Sequence, residues 1–151
     1  SLVFFNLGLV FLERNKYDDA IAVFQEAIEI RPDFVLAYLN LGRVLEQLGK
    51  LKEAGDVMGR LVSIDAEEYE AWFVLAKIHR RLGEMDEAYR AIRIAVGGDA
   101  AESVYQDEYF NIGKEFETLG NADQAGAIYQ SVIEFDPHHK EAQDRLRELG
   151  Y

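Results

Sequence analysis

The sequence predicts an all-α fold, a right-handed α-α superhelix of four helix-turn-helix repeats followed by a C-terminal capping helix. Three observations lead to this prediction. A short motif recurs at nearly constant spacing, apolar residues in each copy follow helical periodicity, and a break with Gly or Asn divides each copy in two. Because a single helix pair cannot bury its own apolar face, recurring pairs favour a stacked solenoid.

The motif fixes the repeat length. Its four copies are Asn6-Leu7-Gly8, Asn40-Leu41-Gly42, Val74-Leu75-Ala76 and Asn111-Ile112-Gly113. The first two intervals are 34 residues and the third is 37, so we expect a three-residue insertion near residues 97–102. The expected repeats of this single domain, residues 1–151, are 1–34, 35–68, 69–105 and 106–139.

Each repeat is predicted to form two antiparallel helices. In the first, Phe4, Leu7 and Phe11 lie three and four residues apart and form one apolar stripe. A second stripe begins with an alanine that is invariant among the four copies, and we expect it to face the small residue of the motif. Gly or Asn between the stripes suits the left-handed residue that ends a helix. These positions are Asn15, Gly49, Gly83 and Gly120.

After the fourth repeat, residues 140–151 carry Ala142, Leu146 and Leu149 at helical spacing among charged side chains. This pattern predicts a capping helix whose outer face is polar.

The pattern over 34 residues resembles the tetratricopeptide repeat (TPR) family. The first repeat matches all eight signature positions of that family, which are Phe4, Leu7, Gly8, Phe11, Ala20, Phe24, Ala27 and Pro32. Repeats two and three are looser, with Ala66 and Ala100 in place of the proline. The resemblance implies a non-catalytic scaffold or adaptor that holds a peptide or helix of a partner protein in a concave groove.

The composition argues against several other functions. Twenty-eight acidic and 16 basic residues give a formal net charge of −12, whereas binding to phosphate backbones needs a basic surface. We therefore expect no nucleic-acid partner, and this also disfavours an RNA-binding helical repeat. There is no cysteine, and the sequence shows no nucleophile–base pair, phosphate loop or metal-ligand spacing. We expect no enzymatic activity, no cofactor and no metal.

The N-terminal segment, residues 1–12, is apolar, but it is too short to span a bilayer and lacks the basic start of a signal peptide. We therefore expect no membrane insertion and a cytoplasmic location. The chain begins almost inside a helix, which suggests a fragment of a longer protein. If that protein were an enzyme, this segment would be a non-catalytic part of it.

The first helices of the repeats should line the groove. Their inward positions combine an apolar row, an asparagine row and basic residues on the second to fourth helices. The predicted groove residues are Phe5, Asn6, Leu9, Leu12, Leu39, Asn40, Arg43, Phe73, Lys77, Arg80, Arg81, Phe110, Asn111 and Lys114.

This residue set predicts a partner with apolar groups for the Phe5 row and acidic groups for Arg43, Lys77 and Arg81. An asparagine amide can both donate to and accept from a peptide bond of any sequence. Chaperone-docking members of the family instead hold a C-terminal carboxylate with basic and polar residues. The matching positions here are Phe5, Leu9, Asn40, Glu70 and Val74, of which only Asn40 fits, so heat-shock chaperone C-termini are not the expected ligand.

Structural roles remain open for these residues: the asparagines could serve only the fold, and the basic residues could form a solvated face. The apolar first repeat could equally be a contact for self-association, because large exposed apolar patches usually mark an interaction. His79 is expected to be a buried, hydrogen-bonded core residue, and His138 and His139 are expected to be loop residues.

Overall fold

The computed structural model describes residues 1–98 and 103–151. Within these ranges the chain forms nine α-helices and no strand. They are α1 (Leu2–Glu13), α2 (Tyr17–Ile30), α3 (Val35–Gln47), α4 (Leu51–Ile64), α5 (Tyr69–Leu82), α6 (Met85–Val96), α7 (Ser103–Thr118), α8 (Ala122–Phe135) and α9 (Lys140–Glu148).

The helices pack in chain order. The pairs α1–α2, α3–α4, α5–α6 and α7–α8 are in extensive contact, and the second helix of each pair packs against the first helix of the next. Helix α9 packs against α8. One continuous apolar core runs through all the pairs. The predicted all-α repeat solenoid is confirmed.

Left-handed residues end the first helix of each pair, as predicted. Asn15 has φ 56°, and Gly49, Gly83 and Gly120 have φ between 76° and 80°. A backbone in this region turns the chain back within two or three residues, which makes the paired helices antiparallel neighbours.

The small residues of the motif make room for large side chains, which corrects the expectation that they face the invariant alanines. A Cβ added to Gly8 would lie 2.5 Å from a ring carbon of Phe24, and one added to Gly113 would lie 2.8 Å from a ring carbon of Tyr129. Phe24 and Tyr129 have no exposed surface. The small side chain is therefore needed opposite the largest buried side chain of the second helix, one turn beyond the alanine.

The predicted insertion near residues 97–102 lies mostly outside the described residues, as does Ala100. On its near side, α6 ends at Val96, and Gly98 lies against the ring of Tyr69, where a Cβ would approach to 2.6 Å.

His139 caps the N-terminus of the capping helix α9, where its ring Nδ1 accepts a hydrogen bond from the amide of Ala142 at 3.2 Å. Ala142 is fully buried, and six of the nine residues of α9 are charged. His79 is half-buried and its Nδ1 lies 2.6 Å from Oε2 of Glu84, so its polar atom is satisfied.

Candidate ligand-binding groove

The inner side of the stack is formed by first helices. Helix α3 contacts α5, and α5 contacts α7, although a second helix separates them in sequence. In a curved solenoid the elements on the inner side lie closest together, so this side is the concave one. The predicted groove residues all belong to these first helices.

The predicted apolar row is mostly buried. Phe5, Leu39 and Phe110 are only 8%, 6% and 5% exposed. The expectation that they form an open surface for a ligand is therefore wrong, and Phe73, which is half-buried, is the member that remains accessible.

Rings from the following unit lie against two buried members of this row. Phe34 lies 5.1 Å from Phe5 between ring centroids, and His139 lies 4.6 Å from Phe110. Both covering residues immediately precede the first helix of the following unit. The rings at positions 34 and 139 were a sequence signal that Phe5 and Phe110 would be covered, but the family signature does not include them.

Tyr105 contacts Phe73 on one side and leaves it half-buried. Its ring stacks on Phe73 with centroids 4.6 Å apart and an interplanar angle of 30°. A cavity of about 250 Å³ opens beside this pair, lined by Phe73, Tyr105, Arg43, Glu70 and Val104. It brings together α3, α5 and α7 and combines apolar, cationic and anionic groups. Tyr105 and Val104 were missed in the sequence because they follow the three-residue insertion.

The basic residues of the groove are paired with acidic ones on neighbouring helices. Arg43 of α3 pairs with Glu70 of α5. In the opposite direction Glu46 of α3 receives Lys77 at 3.2 Å and Arg81 at 2.6 Å, both from α5. These contacts tie the second and third helix pairs together along the inner side, so the basic residues are not a free cluster.

Arg80 has the most protected partner. Its Nε lies 2.6 Å from Oε1 of Glu108, which is buried, and its Nη1 lies 3.7 Å from Glu115. The hydrogen bond to Glu108 raises the pKa of Arg80, against the opposing effect of its own partial burial. Arg80 therefore joins α5 to α7 and offers little to a ligand.

Lys114 differs from the other basic residues. Within residues 1–98 and 103–151 it makes no ion pair, and its Nζ lies 4.9 Å from the centroid of the Phe110 ring. Arg43 also keeps 58% of its side chain exposed despite its pair with Glu70. These two cations are the most available to an acidic ligand.

The asparagine row is only partly free. Asn6 is exposed and Asn111 is half-buried, whereas the side-chain amide of Asn40 donates to the carbonyl of Leu36 in its own helix at 2.8 Å. Leu9 and Leu12 are half-buried, so the apolar part of the first repeat is less open on the inner side than predicted.

Two further features restrict the kinds of site that the described residues can form. In the described part of the chain, no group of three or more His, Asp or Glu side chains could hold a metal ion. No described helix has both the length and the apolarity needed to cross a membrane.

Family models match most of the chain. A TPR repeat model matches residues 8–49, and two tetratricopeptide repeat models match residues 35–68 with 109–139 and residues 59–103. The chain belongs to the tetratricopeptide repeat family. This TPR chain has no match among curated proteins.

Solved structures share the TPR fold. A structure of the MamA protein has 22% sequence identity and a TM-score of 0.81, covering 98% of this chain and 79% of that one. A MamA fragment from Desulfovibrio magneticus RS-1 has 19% identity and a TM-score of 0.73, covering 90% and 75%. YrrB, described as a TPR protein with an unusual peptide-binding site, has 21% identity and a TM-score of 0.75, covering 97% and 74%. At these identities the likeness establishes the fold.

Proposed function

We propose that this TPR chain is a non-catalytic scaffold that binds a segment of a partner protein on its inner face, centred on Phe73. The observation that carries the proposal is the cavity beside the Phe73–Tyr105 ring pair. It is the place where an apolar row that is otherwise closed becomes accessible. The described peptide-binding site of YrrB, on a similar fold, is consistent with this use.

The chemistry of the cavity defines the ligand. An apolar side chain, aromatic or branched, would pack against Phe73 and Tyr105. An acidic group beside it would meet Arg43, whose guanidinium already holds a carboxylate from Glu70. The ligand's carboxylate therefore shares or replaces an existing partner, and the electrostatic gain is smaller than for a free cation.

Further along the groove, Lys114 provides a second position for an acidic group, and Asn111 provides an amide for the ligand backbone. Asn40 can join only by releasing its bond to the Leu36 carbonyl. The proposed ligand is thus an extended peptide or helix with an apolar anchor and acidic residues on one side.

A displayed library of random peptides tests the proposal directly. We expect enrichment of sequences with one large apolar residue next to Asp or Glu. Phe73→Ala should weaken the selected peptides by at least about tenfold, equivalent to about 1.4 kcal/mol. Arg43→Gln should weaken them less and should reduce the dependence of affinity on salt.

Leu119→Ala is the matched control, because Leu119 is exposed at a turn outside the groove. Helical circular dichroism should be unchanged in all three variants. Enriched peptides that bind the Phe73→Ala chain as well as the original chain would place the site elsewhere and contradict the proposal.

Self-association is a second candidate function, favoured by a different surface. Helix α1 exposes the apolar side chains of Val3, Leu7 and Val10, which lie on one side of the helix. That surface is outside the groove.

A further inference from the structure

A cavity outside the groove lies between α2, α3 and α4, and none of its lining residues belongs to the predicted groove. Its volume is about 420 Å³, which is within the roughly 300–1,000 Å³ of small-molecule sites. Tyr38 of α3, Arg60 of α4 and Gln25 and Glu29 of α2 supply its polar lining. We call it the α2–α4 cavity.

The hydroxyl of Tyr38 has an unusual environment. Tyr38 is only 1% exposed, and no group in residues 1–98 or 103–151 forms a hydrogen bond with its buried hydroxyl. Buried polar atoms nearly always have a partner, so an exception needs a physical explanation. The phenyl ring of a phenylalanine would fill the same space without the cost of burying a hydroxyl.

The later repeats satisfy the polar atom at this position. In the third repeat the equivalent residue is Trp72, whose ring N–H donates to a backbone carbonyl at 3.0 Å. In the fourth it is Tyr109, which is hydrogen-bonded to the side chain of Ser131. The second repeat has Arg60 at the position of Ser131, 71 residues earlier, just as Tyr38 precedes Tyr109. Tyr38 thus has a cation beside it where its equivalent has a hydrogen-bond partner.

Two opposite charges line the α2–α4 cavity without neutralising each other. The guanidinium carbon of Arg60 lies 5.5 Å from the centroid of the Tyr38 ring, and Arg60 forms no ion pair with any described residue. Glu29 is exposed and has no ion-pair partner in the described part of the chain either. Most charges of the groove, in contrast, are paired across neighbouring helices.

We infer that the α2–α4 cavity binds a free α-amino acid with an apolar side chain. Its carboxylate accepts a hydrogen bond from the Tyr38 hydroxyl and two from the guanidinium of Arg60, the geometry that arginine favours. Arg60 is exposed and lies over the ring, so its side chain can turn to admit the carboxylate to the hydroxyl.

The other lining residues suit the remaining groups of an amino acid. The ammonium donates to the carboxylate of Glu29 and to the amide oxygen of Gln25, and the apolar side chain packs beside Ile28 and Val57. The C-terminal residue of a peptide has the same carboxylate but no ammonium. The charge of Glu29 therefore selects the free amino acid.

Titration with L-phenylalanine, followed by amide chemical shifts of the isotope-labelled chain, tests the site. We expect shifts concentrated in residues 25–41 and 57–60, with a dissociation constant of about 1 mM or lower. L-Phenylalaninamide, which lacks the carboxylate, and N-acetyl-L-phenylalanine, which lacks the ammonium, should each bind at least about fivefold more weakly.

Tyr38→Phe removes only the hydroxyl and separates a binding role from a structural one. It should weaken L-phenylalanine at least about fivefold. The thermal midpoint of the ligand-free chain should not fall, because no hydrogen bond is lost. Tyr109→Phe is the matched control. It should lower the midpoint by about 3 °C and leave the affinity within about twofold.

Arg60→Gln should also weaken L-phenylalanine at least about fivefold. Its control is Arg93→Gln, because the guanidinium carbon of Arg93 lies 5.6 Å from the centroid of the Tyr89 ring in a similar contact on α6. That variant removes the same charge from another helix and should bind as the original chain does.

Three results would overturn the inference: no saturable shifts up to about 10 mM L-phenylalanine, full affinity in the Tyr38→Phe chain, or equal binding of N-acetyl-L-phenylalanine. The groove proposal is tested separately, since Phe73→Ala should leave the affinity for L-phenylalanine unchanged and Tyr38→Phe should leave the selected peptides bound.

Discussion

Single residues in this chain are constrained by the size of their neighbours across the helix pair. Gly8 shows the constraint most clearly, because its missing Cβ leaves the space that the Phe24 ring occupies. Gly59 lies inside α4, but a Cβ there would have no atom within 4 Å. The two glycines therefore have opposite expected responses to the same substitution.

We expect Gly8→Ala to lower the free energy of unfolding by about 2 kcal/mol, because the ring has no exposed side toward which to move. Gly59→Ala should raise it by about 1 kcal/mol, since alanine stabilises a helix interior where space is free. Urea denaturation of both variants measures the difference. If Gly8→Ala raised the free energy of unfolding instead, α1 and α2 would be able to move apart without loss of stability.

The groove residues differ in whether a side chain of another unit covers them. Phe5 and Phe110 could be identified from spacing as inward-facing, and that placement on the first helices agrees with the structure. Their burial could not be identified, because it depends on Phe34 and His139 of the following unit. Spacing within a helix determines the face of a residue but not what another unit places over it.

Helices on the inner side are joined by ion pairs of unequal exposure. Glu108 of α7 is buried against Arg80 of α5, whereas Arg81 is exposed and shares Glu46 with Lys77. Neighbouring arginines on one helix thus have different structural importance.

Arg80→Ala should lower the free energy of unfolding by about 2 kcal/mol, because it leaves a buried carboxylate without its guanidinium. The value is moderate since about a quarter of the Arg80 side chain is exposed. Arg81→Ala, the matched control, should cost less than about 1 kcal/mol, as Lys77 still neutralises Glu46. Equal effects in thermal or urea unfolding would indicate that burial of Glu108 contributes nothing.

The helix pairs and their turns were predictable because they depend on local chemistry. Apolar residues three and four apart, and Gly or Asn at the reversals, act within a few residues of themselves. The partners of Arg43, Lys77 and Arg81 were not predictable in this way. Each ion pair joins residues about one repeat apart. Counting acidic and basic residues in the groove does not show which of them form ion pairs.

The whole molecule is a row of units in which each helix pair contacts chiefly its neighbours. Stability in such a stack is approximately a sum of local terms, so damage at one end should not spread evenly. Helix α9 at the C-terminal end allows a test, because Ala142 fully buries its side chain against the stack.

Ala142→Asp should speed amide hydrogen exchange in α8 and α9 by at least about tenfold while leaving α1 and α2 within about twofold of the original rates. Hydrogen-exchange mass spectrometry resolves these segments. Uniformly faster exchange along the chain would show instead that the stack unfolds as one cooperative unit.

The sequence by itself determined the repeat, the helix pairs, the reversals and the family, because each depends on periodicity and on residues close together in the chain. Only the tertiary structure decided which inward residues stay open. Phe73 stays half-buried beside a cavity although the Tyr105 ring stacks on it, whereas its equivalents Phe5, Leu39 and Phe110 are buried. It also showed that most of the groove cations are already neutralised by neighbouring helices. These outcomes depend on side chains one repeat away, whose meeting is set by how the pairs stack.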